Sequence, residues 1–311
     1  MPTNKLNVKH ILYFSSFTFC LSIYFVLKYY PQSIATNDWL KQENILDDCY
    51  HVYLDVGSNI GVQIRKLFEP EKYPNAKAHS VFDKNFGPIG ERRKTYSNGG
   101  NLICAVGFEP NPRHTKYLKQ METEYNQCGW KVKIMTQSGV SDHNGISKFF
   151  TDEAYQNLEW GGGVLPPKII NIAKDNVKNK ENSNITDVTL IRLSDFLKDI
   201  VGTRNLPISP SVSSPPRVVM KMDIEGSEVD VIPDLIFSGG LQYINVLMVE
   251  WHSRLENLPE RKKSQHLLEQ IVKSLSDYSS TMKDKGSQYN FSLVNMDDET
   301  YFTSKFEFPE C

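Results

Sequence analysis

Polar and titratable side chains follow four apolar stretches of this sequence, at the point where each stretch ends. The segments are DVGSNIG (55–61), FEPN (108–111), KMDIEG (221–226) and EWH (250–252). Ligands of open α/β sheets bind outside the carboxyl ends of the strands, where such segments meet. Each segment alone is compatible with a solvent-facing strand end, whereas the four together predict one ligand site.

The first two segments suit a nucleoside. Gly57 and Gly61 let a ligand approach the main chain, which a Cβ atom would block. Glu109 closes the second strand, where a carboxylate accepts hydrogen bonds from both ribose hydroxyls. Asp55 either orients the turn or meets an ammonium group. Asn59 stands where dinucleotide-binding turns carry the glycine that admits a pyrophosphate. The turn therefore favours a nucleoside without a pyrophosphate, and S-adenosylmethionine fits that description.

The last two segments supply candidates for proton transfer. A sulfonium compound carries an activated methyl group, so much of the catalysis is alignment, but a hydroxyl acceptor must also lose a proton. The candidate bases are His252, whose residue type has a pKa suited to neutral pH, Asp223 and Glu225. Lys221 is a candidate for stabilising negative charge, or a base if it is desolvated. Structural roles remain open, namely a Lys221–Glu228 ion pair and a strand-capping His252.

Strands and helices alternate from residue 50 onwards, and this order must bring the four segments to one edge of a sheet. Apolar runs predict strands at 50–56, 101–109, 130–140, 217–226 and 244–252. Near-continuous apolar strands separated by helices predict an α/β fold with a mostly parallel sheet covered on both faces. The segments 289–296 and 301–308 predict a closing antiparallel hairpin, and residues 70–100, rich in Gly, Pro and Lys, predict a long insertion loop.

Five motifs occur in an order that matches one enzyme family. The chain resembles the FkbM-type branch of class I S-adenosylmethionine-dependent methyltransferases over residues 50–300, through "LDVGSNIG", "VGFEPNP", "GVSDHNG", "MKMDIEGSEVDVI" and "LMVEWH". The resemblance implies a Rossmann-like sheet of seven strands whose last strand is antiparallel, which suits the predicted hairpin. It also implies S-adenosylmethionine as cofactor. We expect oxygen as the methyl acceptor, on a glycan, a lipid or another small molecule that the sequence does not identify.

The resemblance assigns cofactor contacts to the glycine turn and to the second and third strands, namely Asp55, Gly57, Ser58, Asn59, Gly61, Glu109, Asn111 and Val140. In this assignment the turn contacts the methionine and ribose end of S-adenosylmethionine, Glu109 binds the ribose hydroxyls, and Val140 lies near the wall of the adenine pocket. One departure is the distance from Gly61 to Glu109, 48 positions, where about 20 is usual between the fingerprint and the acid. Residues 70–100 account for the extra length, and we interpret them as a lid, a substrate surface or a lineage-specific addition.

The N-terminal region predicts attachment to a membrane. Residues 11–27 hold no charged side chain and are flanked by Lys5, Lys9 and Lys28, at the short end of the length that spans a bilayer. We expect a tail at 1–10, an uncleaved transmembrane signal-anchor at 11–30, a stem at 31–49 and a methyltransferase domain at 50–311. A cleaved signal peptide is the alternative. Basic residues before the span favour a cytoplasmic tail, which predicts a type II protein of the endoplasmic reticulum or Golgi with a luminal catalytic domain.

Composition adds further expectations about partners and redox state. The chain has 311 residues with 35 basic and 37 acidic side chains, which gives no indication of nucleic-acid binding. Four cysteines follow the span, at Cys49, Cys104, Cys128 and Cys311. They allow three disulfide pairings, with free buried thiols as the alternative, and their spacing predicts no metal site. Asn184 and Asn290 begin glycosylation sequons. The sequence indicates no oligomeric state.

Two other functions remain compatible with these patterns. Golgi-type metal-dependent glycosyltransferases commonly have this topology, and Asp223-Ile224-Glu225 resembles their acid-x-acid metal motif. Against that interpretation, the motif follows the fourth strand of a chain that opens with a nucleoside-type turn. A non-catalytic scaffold with a methyltransferase fold is the other alternative, and the presence of the site acids disfavours it.

Overall fold

The computed structural model describes residues 43–95, 100–150, 163–164, 185–207, 214–252, 259–284, 290–298, 300, 307–309 and 311. The chain divides into two units, 1–37 and 38–311, and all described residues belong to the second. The predicted tail, signal-anchor and most of the stem therefore lie outside the described residues. Within the ranges given, no helix combines the length and apolarity that crossing a bilayer requires.

Ten strands of the described part of the chain lie in two sheets. They are β1 (Cys49–Val56), β2 (Asn101–Glu109), β3 (Lys131–Thr136), β4 (Ser138–Ser141), β5 (Gly145–Phe150), β6 (Gly163–Val164), β7 (Ile185–Arg192), β8 (Val218–Met222), β9 (Val246–Val249) and β10 (Ser292–Asn295). The central sheet has the order β10-β9-β8-β1-β2-β3, and all its neighbouring strands are parallel. The second sheet has the order β4-β7-β5-β6 and is mixed. The predicted α/β fold with a mostly parallel sheet is confirmed.

Seven helices accompany these strands. They are α1 (Val62–Phe68), α2 (Ala78–Phe86), α3 (Ile89–Arg92), α4 (Thr115–Gln127), α5 (Leu193–Phe196), α6 (Glu228–Phe237) and α7 (Pro259–Asp284) among the described residues. Short 3-10 turns occupy Pro70–Lys72, Pro112–His114 and Gly240–Tyr243, and a π-helical turn, Leu197–Val201, continues α5.

The two faces of β1 pack into separate apolar cores. Val52, Leu54 and Val56 share one core with α6 and α7, whereas Tyr53 faces the other core with α1, α2 and α4. Alternate residues of a strand point to opposite faces, and every residue of β1 and β2 is buried. This explains why both strands are apolar almost throughout and lack the alternation of a half-exposed strand.

The four cysteines form two disulfides, which correspond to one of the three possible pairings. Cys49 at the start of β1 is bonded to Cys104 in the adjacent β2, with 5.7 Å between the Cα atoms. Cys128, directly after α4, is bonded to Cys311, with 5.2 Å between the Cα atoms. The alternative of free buried thiols is therefore wrong for these four residues.

The predicted insertion loop is largely helical, so the loop prediction for residues 70–100 is wrong over most of its length. It contains α2, α3 and a 3-10 turn. Ala78, Phe82 and Phe86, spaced four residues apart, are all buried and belong to the same core as Tyr53. The high content of polar residues masks an apolar stripe at helical spacing.

The first strand of the predicted closing hairpin is present as β10, and the antiparallel pairing of the hairpin stays a prediction. β10 pairs with β9 in parallel, because α7 forms a 26-residue helical connection between them and such a crossover returns the chain in the same direction. Most of the predicted second strand, 301–308, lies outside the described residues. The described central sheet has six parallel strands, and antiparallel pairing among the described residues occurs in the second sheet, where β5 pairs with both β6 and β7.

The predicted third strand at 130–140 is broken into two. Gln137 has φ +54°, a left-handed conformation that interrupts an extended chain. β3 stays in the central sheet beside β2, whereas β4 pairs with β7 in the second sheet. The break thereby joins the two sheets through one residue.

Candidate active site

The glycine turn, residues 57–61, connects β1 to α1 at the carboxyl edge of the central sheet. Gly57, Asn59 and Gly61 have positive φ values of 90°, 49° and 77°. The N–H groups of Gly57 and Ser58 both donate to the Phe108 carbonyl, at 3.1 and 2.9 Å. The turn is therefore bound directly to the end of β2.

Backbone packing already requires glycine at position 57, and the positive φ of Gly61 favours glycine there. A Cβ atom on Gly57 would lie 1.8 Å from the Asp223 carbonyl oxygen, and one on Gly61 would lie 2.5 Å from Met121 Cε. The approach of a ligand is the reason for these glycines that the sequence predicts. The structure gives them a second reason, which holds whether or not a ligand is bound.

Glu109 lies at the end of β2 with its side chain against the glycine turn. Its Oε2 accepts a hydrogen bond from the Asn59 N–H at 2.6 Å, and its Oε1 accepts one from the Asn111 N–H at 2.8 Å. Asn111 in turn accepts from the Arg113 N–H at 3.0 Å and caps the 3-10 turn that precedes α4. The structure thus brings the first two predicted strand ends together.

Asp55 is fully buried beneath the turn. Tyr53 donates its hydroxyl to Oδ1 at 3.4 Å, and Ser58 donates to the Asp55 carbonyl oxygen at 2.9 Å. Burial raises the pKa of Asp55 to about 7, although the nearby charge of Lys221 opposes that shift. Of the two predicted roles, the position of Asp55 inside the core favours orientation of the turn.

Val140 occupies a different environment from the turn residues. It lies in β4 opposite Ile191 of β7 and is buried in the apolar core that α6 and α7 cover. The structure therefore places this predicted adenine-wall residue within the packed core.

The second half of the site is a group of four carboxylates around two cations, which we call the acid cluster. It contains Asp223, Glu225, Glu228 and Glu250 together with Lys221 and His252. These residues come from the end of β8, the turn after it, the start of α6 and the end of β9. The structure thus brings all four predicted catalytic residues together, and it adds Glu228 and Glu250.

His252 is the centre of the acid cluster. Its Nε2 lies 3.3 Å from Asp223 Oδ1, 3.4 Å from Glu225 Oε2 and 3.8 Å from Glu250 Oε1. Its Nδ1 lies 3.2 Å from Oε1 of Glu228, a side chain that is almost fully buried. Hence both ring nitrogens face carboxylates.

The prediction that His252 has a pKa suited to neutral pH is wrong. Burial alone would lower its pKa, but hydrogen bonds to Asp223 and Glu228 and the charges of Glu228 and Glu225 outweigh burial and raise it to about 11. With no competing cation bound, the ring is protonated at neutral pH and has no free lone pair for general base catalysis.

Lys221 is held in its charged form by the same acids. It pairs with Asp223 Oδ2 and lies 3.4 Å from Glu250 Oε2, and these charges raise its pKa above the ordinary value despite burial. The charge of Lys221 likewise lowers the pKa of Asp223, again against burial. Lys221 therefore does not act as a base, and the alternative pairing of Lys221 with Glu228 is wrong, since Glu228 contacts His252 and the Ile224 N–H instead.

The glycine turn and the acid cluster are adjacent. The Asp223 N–H donates to the Val56 carbonyl at 2.8 Å, and the Asp223 carbonyl is the atom nearest to a side chain built on Gly57. A molecule bound along the turn therefore ends beside the acid cluster, as expected where the carboxyl ends of parallel strands meet.

Comparison with known proteins identifies one family. The methyltransferase FkbM domain model matches residues 55–280. A search of curated proteins finds no match. Among solved structures, the chain is similar to the crystal structure of the methyltransferase FkbM from Methylobacillus flagellatus KT, with 13% identity, a TM-score of 0.28 and coverage of 68% of this chain. The match covers 32% of that protein, so the chain spans about a third of its length.

Proposed function

Because this chain belongs to the FkbM methyltransferase domain family, we propose that it transfers a methyl group from S-adenosylmethionine to an oxygen atom of an acceptor. The observation that carries the proposal is the hydrogen bond from the Asn59 N–H to Glu109. It joins the turn that follows β1 to the acid that ends β2, the two parts of a nucleoside site at the edge of such a sheet.

The residues of the turn fit an adenosyl cofactor. A carboxylate has about four lone-pair positions, and Glu109 uses two of them on backbone N–H groups, which leaves acceptor capacity for ribose hydroxyls. The Asn59 side-chain oxygen is buried without a hydrogen-bond partner among the described residues. It can therefore accept from the ribose or the ammonium group of the cofactor.

When bound, S-adenosylmethionine supplies a methyl group on a positively charged sulfur, which keeps the electron pair of the broken carbon–sulfur bond. The chain must then align the acceptor oxygen and take its proton. A carboxylate of the acid cluster is the proton acceptor in our proposal, because His252 and Lys221 both carry protons at neutral pH. With no metal ion in the acid cluster, those two cations stabilise the negative charge that develops on the oxygen.

The proposed location is the lumen of the secretory pathway, with the N-terminal segment 11–30 as membrane anchor. Disulfides persist in oxidising compartments, and the domain carries two. A luminal domain makes glycans and lipids accessible as acceptors. Of the two sequons, Asn290 lies against Arg217, whose Nη2 is 3.1 Å from the side-chain oxygen when the Asn290 amide is assigned in the orientation that satisfies both groups. We therefore expect glycosylation at Asn184, which lies outside the described residues.

Calorimetry on the full-length protein in detergent micelles tests the cofactor assignment. We expect binding heat with S-adenosylmethionine, and with a nucleotide sugar plus manganese no heat beyond that of manganese alone. The proposal fails if a protein that unfolds cooperatively gives no heat with S-adenosylmethionine. Incubation of the same protein with methyl-labelled cofactor and tissue extract then identifies the acceptor.

Glycosidase treatment tests the location separately. We expect the full-length protein made in cells to shift in electrophoretic mobility after removal of N-linked glycans, and the Asn184→Gln variant to lack that shift. Unchanged mobility of the wild-type protein would contradict a luminal domain.

A further inference from the structure

We propose that Asp223, Glu225 and His252 form a binding site for one divalent cation, which holds the acceptor oxygen beside the glycine turn. The catalytic role of the cation rests on the proposed methyl transfer. Its binding does not, since the ligand set is defined by side chains of this chain alone.

The spacing of the three side chains fits one ion. One ligand atom from each residue lies within 4.8 Å of the other two, and His252 Nε2 is 3.3 and 3.4 Å from the nearest oxygens of Asp223 and Glu225. An ion bonded to nitrogen and oxygen at about 2.2 Å places neighbouring octahedral ligands roughly 3.1 Å apart. The observed separations are close to that spacing, so small side-chain movements suffice.

His252 Nε2 has more carboxylate oxygens around it than a single N–H group can bind. Carboxylate oxygens of Asp223, Glu225 and Glu250 all lie within 3.8 Å of this one atom. A ring nitrogen donates a single hydrogen, so one proton is shared among three acceptors. An ion between them bonds to the nitrogen and to several oxygens at once.

Glu228 gives His252 the orientation of a metal ligand. Its buried carboxylate lies 3.2 Å from Nδ1 and also accepts from the Ile224 N–H at 2.9 Å, so its position is fixed. A hydrogen bond from Nδ1 to a carboxylate leaves the Nε2 lone pair for an ion. Metal-bound histidines almost always make this second contact.

The three proposed ligands keep part of their side-chain surface exposed. Lys221 pairs with Oδ2 of Asp223, whereas Oδ1 faces His252. The side chains of Asp223, Glu225 and His252 are 23%, 21% and 12% exposed, so the ligands are shielded but reachable. Three protein ligands leave further positions of the ion for water or an acceptor hydroxyl.

The donor set limits the choice of ion. Two carboxylates favour magnesium and manganese, and one imidazole is compatible with manganese and zinc. Manganese satisfies both preferences and has an electron paramagnetic resonance signal that weakens when the hydrated ion binds a protein. It is therefore the probe for the experiment.

The experiment titrates the detergent-solubilised full-length protein with MnCl₂ alone, without cofactor, and follows the signal of free Mn²⁺. We expect one bound ion per chain and an at least tenfold weaker affinity in both Asp223→Asn and Glu225→Gln. Glu228→Gln should weaken binding by roughly 10- to 100-fold, as loss of an outer-shell partner does. Asp277→Asn, which changes an exposed acid of α7, is the matched control and should bind like the wild type.

Two results would overturn the proposal. One is the absence of a bound ion in wild-type protein that still unfolds cooperatively. The other is equal affinity in wild type, Asp223→Asn and Glu225→Gln, which would place the ion elsewhere. Calorimetry with S-adenosylmethionine on the same preparation is independent of this readout. Cofactor binding without manganese binding rejects the cation site alone, and manganese binding without cofactor binding rejects the proposed function.

Discussion

The main chain of Asp223 fills the space that a side chain on Gly57 would occupy, with a separation of only 1.8 Å between the Asp223 carbonyl oxygen and a Cβ built on Gly57. The turn proposed to hold the cofactor and the cluster proposed to handle the acceptor are therefore in backbone contact. We therefore expect a cofactor bound at the turn to affect the geometry of the acid cluster.

Substitution of Gly57 by alanine should strongly destabilise the folded protein. The residue combines a φ of +90° with the contact to Asp223, and strain of this kind together with overpacking costs about 3 kcal/mol or more. Chemical denaturation should show that loss. Gly90→Ala is the control, because a Cβ there meets nothing within 4 Å and alanine favours a helix by about 1 kcal/mol. Equal stability of the Gly57→Ala variant and the wild type would contradict the packing described here.

Substitution of Glu109 by glutamine should weaken cofactor binding more than folding. The amide retains one acceptor, but its NH₂ group then faces one of the two N–H donors that the carboxylate now satisfies. Loss of a hydrogen bond to a charged group costs about 1.5–3 kcal/mol, so affinity for S-adenosylmethionine should fall roughly 10- to 100-fold in calorimetry. Glu43→Gln, at an exposed position, should bind like the wild type. Unchanged affinity in Glu109→Gln would remove Glu109 from the site.

Asp55 should make the stability depend on pH. Its pKa in the folded protein, about 7, lies above the ordinary value of 3.8. The stability that protonated Asp55 gives to the folded state is therefore fully present below about pH 4. It is lost as the pH rises through 7. The stability of Asp55→Asn relative to wild type should thus increase by roughly 2 kcal/mol between pH 5 and pH 8.

Urea denaturation at both pH values measures that difference. Asp277→Asn, an exposed acid of α7, should show no such trend. If the difference between Asp55→Asn and wild type is the same at pH 5 and pH 8, then Asp55 does not titrate in this range.

The two disulfides should react with reductants at different rates. Cys49 and Cys104 are 0% and 1% exposed, whereas Cys311 is exposed and Cys128 is partly exposed. Thiol–disulfide exchange needs access to a sulfur, so mild dithiothreitol should open the Cys128–Cys311 bond first. Alkylation followed by mass spectrometry measures both sites. Equal labelling of all four cysteines in the native protein would contradict the burial, and equal labelling in urea is the expected control.

The central sheet could be predicted because its strands are apolar almost without interruption. The runs at 50–56 and 101–109 correspond to β1 and β2 nearly residue by residue. Prediction was poorer where the apolar signal is sparse, as in α2, whose three buried residues stand among polar ones. The conformation of Gln137, which divides the third strand, has no clear sequence signal, because its side chain does not require a positive φ.

The candidate site was predictable as a set of strand ends but not as a set of distances. The positions of Asp55, Glu109, Asp223 and His252 follow from the rule that sites form at the carboxyl edge. The surroundings of His252 depend on the order of β8 and β9 and on the start of α6, which bring Glu228 and Glu250 to the ring. The raised pKa of His252 follows from those contacts, whereas its residue type alone predicted a base that titrates near neutral pH.

The separations of the paired cysteines set an order for maturation of the chain. The Cys49–Cys104 bond spans 55 residues and the Cys128–Cys311 bond spans 183. In the luminal location proposed above, the first pair would enter an oxidising compartment early and could close while most of the sheet is still untranslated. Cys128 must then remain a thiol until the far end of the domain arrives. Burial of the early bond between β1 and β2 would protect it from attack by the Cys128 thiolate, so in that location the yield of correctly paired protein would depend on how fast these two strands pair.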